Sequence, residues 1–257
     1  MKHKIKMVIT DLDNTLLRRD KTISGYTISA LNRLRERGIL IAFATARSNN
    51  AASQFTAQIY PDVLVCYGGA VVFADGAIIR RHDIPAGISR PLIQACLDTP
   101  DIFAIYAINE TVALTNHKEY SLEPGASHYT YSNLSILPNN GLLKISVRSR
   151  NPEPVHKIAL RFPMCDMLRY TGEDMFRFAN REAVKWNAIK TVLEYYDFSA
   201  ADVVAFGDDT NDIEMLRECG TGVSVLNAID ECKAVSNYIC GDCDDDGMAK
   251  WIDEYLL

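Results

Sequence analysis

Four short apolar runs set the main constraint on this chain, because each is continuous rather than alternating. They are "KMVIT" at residues 6–10, "ILIAFAT" at 39–45, "VLVCYGG" at 63–69 and "VVAFGDD" at 203–209, and "GTGVSVL" at 220–226 reads as a further strand. A strand without polar alternation must be covered on both faces, which is the habit of parallel sheets flanked by helices. The intervening segments carry helical patterns. "SALNRLRERG" places Ala30, Leu31 and Leu34 on one side and stops at Gly38, and "NDIEMLREC" follows the fourth run. "AVVFADGAIIR" reads as a hairpin turning at Asp75-Gly76. The fold class expected is therefore α/β with a parallel sheet.

That pattern breaks once. Eight of the nine prolines fall between Pro85 and Pro163, among mixed strands such as "FAIYAI" and "LKISVRS". The expectation is one α/β domain made of residues 1–81 and 181–257, interrupted by an α+β unit at 82–180. Within the insert, "HKEYSLEPGASHYTYSNL" is polar and aromatic and reads as a surface helix or loop.

Composition narrows the function classes. A formal net charge of −6, spread along the chain, argues against nucleic acid or an anionic membrane surface as main partner. No apolar run approaches the roughly 18 residues of a membrane helix, and the basic N-terminus soon meets Asp11. With seven cysteines and no export signal, reduced thiols in the cytoplasm are expected. Cys240 and Cys243 form a lone CxxC without the second pair of a structural zinc site, and read as incidental thiols. The sequence carries no signal of oligomeric state.

The polar ends of the apolar runs carry the chemistry. Residues i and i+2 of a strand face one side, so Asp11 and Asp13 of "DLDNTLL" project together. Two like charges at the end of a buried strand are costly unless a cation joins them; the competing reading is a solvated Asx turn. "GDDTND" repeats the arrangement with Asp208, Asp209 and Asp212. Two such ends can converge on a hard cation, and oxygen-only ligands suit magnesium. Helix capping explains one of these acids but not the repetition. Thr45 and Arg47 follow the second run and offer either an anion site or a helix cap, shared with Ser48. Lys185 opens the returning domain, where a solvated helical lysine is the plain alternative.

Together these pieces resemble the haloacid dehalogenase-like hydrolases, in particular Cof-type members with a C2 cap. The chain shows D-x-D-x-T at Asp11, Asp13 and Thr15, the motif II threonine at Thr45, a motif III lysine at Lys185, and G-D-x-x-N-D-x-x-M-L from Gly207 to Leu216. Order and spacing fit over essentially the whole length. The resemblance implies a Rossmann-like core with an inserted cap that sets substrate specificity. It implies Asp11 as nucleophile forming an aspartyl-phosphate, and Asp13 as the acid that protonates the leaving oxygen and then the base that activates water. Mg2+ would sit between the Asp11 carboxylate, the Asp13 backbone carbonyl and Asp208, with Asp212 holding its water shell or orienting Lys185. Thr45, the Ala46 amide, Asn211 and Lys185 would bind phosphoryl oxygens. Arg47, Gly68, Gly69, His117, Tyr120 and His128 are the candidates for substrate specificity.

The activity so implied is a Mg2+-dependent phosphatase of small phosphorylated metabolites, sugar phosphates first. A phosphomutase of the phosphomannomutase type and a metabolite-binding regulatory protein are the alternatives. Three triplets depart from the family pattern: Thr45-Ala46-Arg47 replaces T-G-R, Gly68-Gly69-Ala70 replaces N-G-A, and Leu226-Asn227-Ala228 replaces G-N-A. The stretch from Asp242 to Asp253 nearly matches an EF-hand calcium loop. It lacks the final Glu and follows a strand-like segment, so it reads as a solvated helix N-terminus.

Overall fold

A computed structural model describes residues 4–118, 129–170 and 172–257. In chain order the first part supplies β1 (Met7–Thr10), α1 (Gly25–Glu36), β2 (Leu40–Ala44), α2 (Asn49–Ile59), β3 (Val63–Cys66), β4 (Val71–Ala74) and β5 (Ala77–Arg81). The middle part supplies α3 (Ala86–Leu97), β6 (Ile102–Ile108), β7 (Ala113–Thr115), β8 (Thr130–Tyr131), β9 (Lys144–Ser149), α4 (Pro152–Arg161), β10 (Cys165–Arg169) and β11 (Met175–Asn180). The last part supplies α5 (Lys185–Tyr196), β12 (Val203–Gly207), α6 (Ile213–Glu218), β13 (Thr221–Ser224), α7 (Asp230–Val235), β14 (Tyr238–Ile239) and α8 (Gly247–Tyr255).

The chain divides into two compact units, Met1–Arg81 with Val184–Leu257, and His82–Ala183. The second boundary lies three residues beyond the expected 180/181, because Ala183 N donates to Asn180 O and Asn180 Nδ2 to Asp83 O, closing the insert on itself.

In the first unit the strand order among the described residues is β14-β13-β12-β1-β2-β3-β4-β5. Neighbours from β14 to β3 pair parallel, and β4 and β5 turn back antiparallel. The apolar runs are these strands, and their side chains are almost wholly buried: Met7, Val8, Ile41, Phe43, Val63, Val203, Ala205 and Phe206 are each 0% to 1% exposed. Asp75 and Gly76 both take positive φ, 49° and 75°, as a two-residue hairpin of the primed type requires. From β1 the chain builds outward through β2 and β3, and later adds β12, β13 and β14 on the other flank. The sheet order thus reverses at β1/β12, where an open α/β sheet forms its ligand crevice.

The second unit carries its own sheet, ordered β10-β11-β9-β6-β7-β8 among the described residues. One face packs on α3 and α4 through Leu92, Ile93, Ile105, Ile145, Val147, Val155, Phe176 and Phe178. The described part of the aromatic stretch is not simply loop or helix, since Thr130–Tyr131 forms β8 beside β7.

Candidate active site

The site grows from the pairing of β1 with β12. Thr10 registers with Phe206, and Asp11 N donates to Phe206 O at 3.0 Å. This sets Asp11 beside the end of β12 and hence beside Asp208. After Asp11 the backbone makes a tight turn over Leu12–Leu16, with Asn14 in the left-handed region at φ 57°. The turn tucks Thr15 inward, and its Oγ1 donates to Asp208 Oδ1 at 2.8 Å. One carboxylate oxygen from each of Asp11, Asp208 and Asp212 then lies within 4.8 Å of the other two, all three residues buried.

Lys185 enters from the first residue of α5. It is 1% exposed, and its Nζ lies 2.5 Å from Asp11 Oδ1 and 2.6 Å from Asp212 Oδ1. A solvated helical lysine is thereby excluded. Gly69 explains the approach. At φ 109°, a Cβ built on it would stand 2.4 Å from Val184 O, so only glycine lets the β3–β4 turn meet the start of α5. Gly69 is therefore a packing residue for the start of α5. Gly68, at φ 69°, donates from its N to Thr45 O at 2.9 Å, and Tyr67 N donates to Arg47 O. The glycine turn and the Thr45–Arg47 loop are stitched together by backbone.

Asp212 has both oxygens engaged. Oδ1 receives Lys185, and Oδ2 accepts from the amides of Asp208 (3.1 Å) and Asp209 (3.2 Å). Gly207 leaves it room, since a Cβ there would meet the Asp212 carboxyl at 2.8 Å. Geometry favours the orienting role for Asp212. Oδ2 of Asp11 and Oδ2 of Asp208, by contrast, carry no hydrogen bond among the described residues.

The charges are out of balance. Three buried carboxylates face one ammonium, leaving two negative charges uncompensated where charge is costly. Burial pushes the Asp11 carboxyl well above its ordinary range, reinforced by Asp212 and Asp208 and opposed by Lys185. Burial and then Asp212 push Asp208 up to about 7. Burial alone would lower the Lys185 ammonium, but Asp11 and Asp212 hold it above its usual value. An all-oxygen donor set with two free carboxylate oxygens and a double negative excess fits a hard divalent cation such as Mg2+.

Asp13 stands outside that cluster. Its carboxylate is forked by Arg47, Nε and Nη2 each at 2.7 Å, and Lys21 Nζ adds a third contact at 2.9 Å. Against its partial burial, Arg47 and then Lys21 pull the Asp13 carboxyl down to about 2. Arg47 is thus committed to Asp13, and its guanidinium also lies over the Phe55 ring at 4.9 Å. Of the residues expected to serve substrate specificity, Arg47 is thus the one found beside Asp13. Lys21 carried no sequence signal beyond its positive charge.

The remaining candidates fall as follows. Thr45 is 1% exposed just beyond β2, its Oγ1 accepting from Arg47 N at 3.1 Å, while Ser48 caps α2 by accepting from Ala51 N. Ala46 is half-buried in the same loop, and Asn211 half-buried in the turn before α6. His117 belongs to the other unit, where its N donates to Thr115 Oγ1. Tyr120 and His128 lie outside the described residues.

The acidic loop and the CxxC acquire structural tasks. Arg19 grips Asp242 through two 2.9 Å contacts and also pairs with Asp244, so a guanidinium stands where a calcium loop would gather an ion. Asp242 caps the following turn by accepting from Asp244 N. Cys240 and Cys243 are free and buried, their thiols pushed up to about 12 and about 11 chiefly by burial, the opposite of activated thiolates. No helix among the described residues is long and apolar enough to cross a membrane.

Comparison with known proteins agrees with this geometry. A family model described as haloacid dehalogenase-like hydrolase matches residues 8–252. The chain is 27% identical over 265 residues to an HMP-PP phosphatase of Yersinia enterocolitica, covering 98% of this chain and 95% of that protein. It is 26% identical over 281 residues to the 5-amino-6-(5-phospho-D-ribitylamino)uracil phosphatase of Bacillus subtilis, covering 100% and 99%. Its fold matches the crystal structure of a haloacid dehalogenase-like hydrolase from Bacteroides thetaiotaomicron with a TM-score of 0.84 at 21% identity, over 98% of this chain and 100% of that one.

Proposed function

We propose, from the premise that this chain belongs to the haloacid dehalogenase-like hydrolases, that it is a Mg2+-dependent phosphatase of small phosphorylated metabolites. The observation that carries the reading is Asp11, a buried carboxylate fixed by Lys185 through one oxygen, its other oxygen without a hydrogen bond among the described residues, in a cluster with Asp208 and Asp212. Phosphoryl transfer asks mainly for positioning and charge neutralisation, and this cluster supplies both.

Asp11 and Asp208, with the Asp13 backbone carbonyl, are the groups that would hold magnesium. When bound, the ion supplies a Lewis acid that neutralises phosphoryl charge. The Asp11 carboxylate attacks phosphorus; an Asp11 O–P bond forms as the bond to the leaving oxygen breaks. Lys185, Thr45, the Ala46 amide and Asn211 bind the phosphoryl oxygens. The leaving oxygen takes its proton from the Asp13 carboxyl, and water then attacks phosphorus while Asp13 receives its proton. Inorganic phosphate leaves and Asp11 is restored. Because Asp13 stands as a carboxylate forked by Arg47, its turn as a donor begins with the opening of that ion pair and the uptake of one proton from solvent water. The inserted unit, His82–Ala183, sets the choice of leaving group.

The test is a phosphate-release screen with and without Mg2+. The panel runs from sugar phosphates to the phosphorylated ribitylaminouracil and HMP-PP of the two relatives. Mg2+-dependent release from at least one member is expected, with Asp11→Asn reducing it to background. A folded protein inert across the panel would sink the reading, as would release of isomerised sugar phosphate in place of free phosphate.

A further inference from the structure

The Asn227 side chain makes no hydrogen bond to the carboxylate cluster among the described residues, yet it is bonded to the turn that presents two of the aspartates. Its Nδ2 donates to Asn14 O at 2.8 Å, and its Oδ1 accepts from Cys243 N at 2.9 Å. Asn14 is the left-handed residue of the Leu12–Leu16 turn, at φ 57°, one step after Asp13 and three after Asp11. A turn in a sparsely populated conformation persists only where its surroundings hold it.

The same short segment grips the other acidic strand end. Ile229 N donates to Asp208 O at 2.9 Å, and Ala228 N to Val225 O closes the segment on itself. Residues 225–229 therefore brace the two carboxylate-bearing ends against each other, Asn14 on one side and Asp208 on the other. Behind the brace stands the acidic loop. Its Cys243 amide orients the Asn227 carboxamide, and its aspartates hold the chain just past the turn through Arg18–Asp246 at 2.9 Å and Arg19–Asp242. This assigns work to a loop whose sequence nearly matches a calcium-binding loop.

We infer that Asn227 is a positioning residue for the divalent-cation cradle, its carboxamide fixing the spacing between the Asp11–Thr15 turn and Asp208. The inference rests on the magnesium reading above. A carboxamide meets the task because it donates and accepts at once. Small cations tolerate little misplacement of their oxygen ligands.

The test compares Asn227→Asp and Asn227→Ala with the unaltered protein, each titrated with MgCl2 alone. Magnesium binding is read by calorimetry and by the rise in melting temperature, and kcat/KM is measured separately. Asn227→Asp keeps an acceptor for Cys243 N but turns an oxygen toward Asn14 O, so it isolates the tether to the turn. The half-saturating Mg2+ concentration is expected to rise about tenfold in both variants, as for other residues that orient metal ligands, with a comparable fall in kcat/KM. Native circular dichroism in Asn227→Asp shows that the variant is folded. A melting temperature lowered without magnesium, but with unchanged half-saturation, would mark Asn227 as merely structural and overturn the inference. Unaltered binding in Asn227→Asp overturns it too. An unaltered protein that shows no Mg2+ response removes the magnesium reading itself, and this inference with it.

Discussion

Lys185 shows how much one residue can decide. Its ammonium is the sole cation within bonding distance of Asp11 and Asp212 among the described residues, and its side chain is 0% exposed. Removing it leaves the buried carboxylates of Asp11 and Asp212 facing one another without a counter-charge. Lys185→Met should therefore destabilise the metal-free protein by about 3–5 kcal/mol, the range for breaking a buried ion pair by deleting one member. Urea denaturation at pH 8 checks this; a midpoint within error of the parent would mean the carboxylates find another way to shed charge. Asp13 is the contrasting case at the same scale. It is two residues from Asp11 and equally acidic in sequence, yet Arg47 and Lys21 give it the opposite electrostatics.

At the scale of elements, the site depends on where strands and helices stop. β1 and β12 end side by side, α5 begins at Lys185, and the β3–β4 turn lets that beginning come close. Gly69→Ala tests this joint. The new Cβ would have to displace the Val184–Lys185 backbone, and φ 109° is strained for any side chain. We expect a loss of at least about 2 kcal/mol, together with loss of turnover, because the start of α5 carries Lys185. Gly76→Ala is the matched control: φ is 75° but the space is open, so only the conformational cost of about 1 kcal/mol applies. Thermal melting of the pair checks it, and equal losses would show that contact with Val184 contributes nothing.

For the whole molecule, stability should be coupled to pH and magnesium through Asp208. Its folded value is raised to about 7, against about 3.9 for an unperturbed aspartate. A raised carboxyl holds its proton more tightly in the folded state. Its contribution to stability is therefore fully present below about pH 4 and is lost as pH rises through about 7. Magnesium competes with that proton, so the melting-temperature gain on adding Mg2+ should be distinctly larger at pH 8 than at pH 5. Scanning fluorimetry at the two pH values decides it; equal gains would mean that Asp208 does not titrate with the ion.

The sequence by itself determined the sheet, the interruption near residue 82 and the two acidic strand ends. These are local or periodic signals: a continuous apolar run must be buried on both faces, and a carboxylate at its end must meet solvent, a partner or an ion. Pairings were hidden, because they are made across tens to hundreds of residues. Nothing local joins Arg47 to Asp13, Gly69 to Val184, Asn227 to Asn14 or Arg19 to Asp242. The sequence therefore could not show the partners of Arg47 and Gly69, and it left Lys21 and Asn227 without a task. Only the tertiary structure decided which charges neutralise which, since a side chain's electrostatic role is fixed by the few ångströms around it and not by its neighbours along the chain.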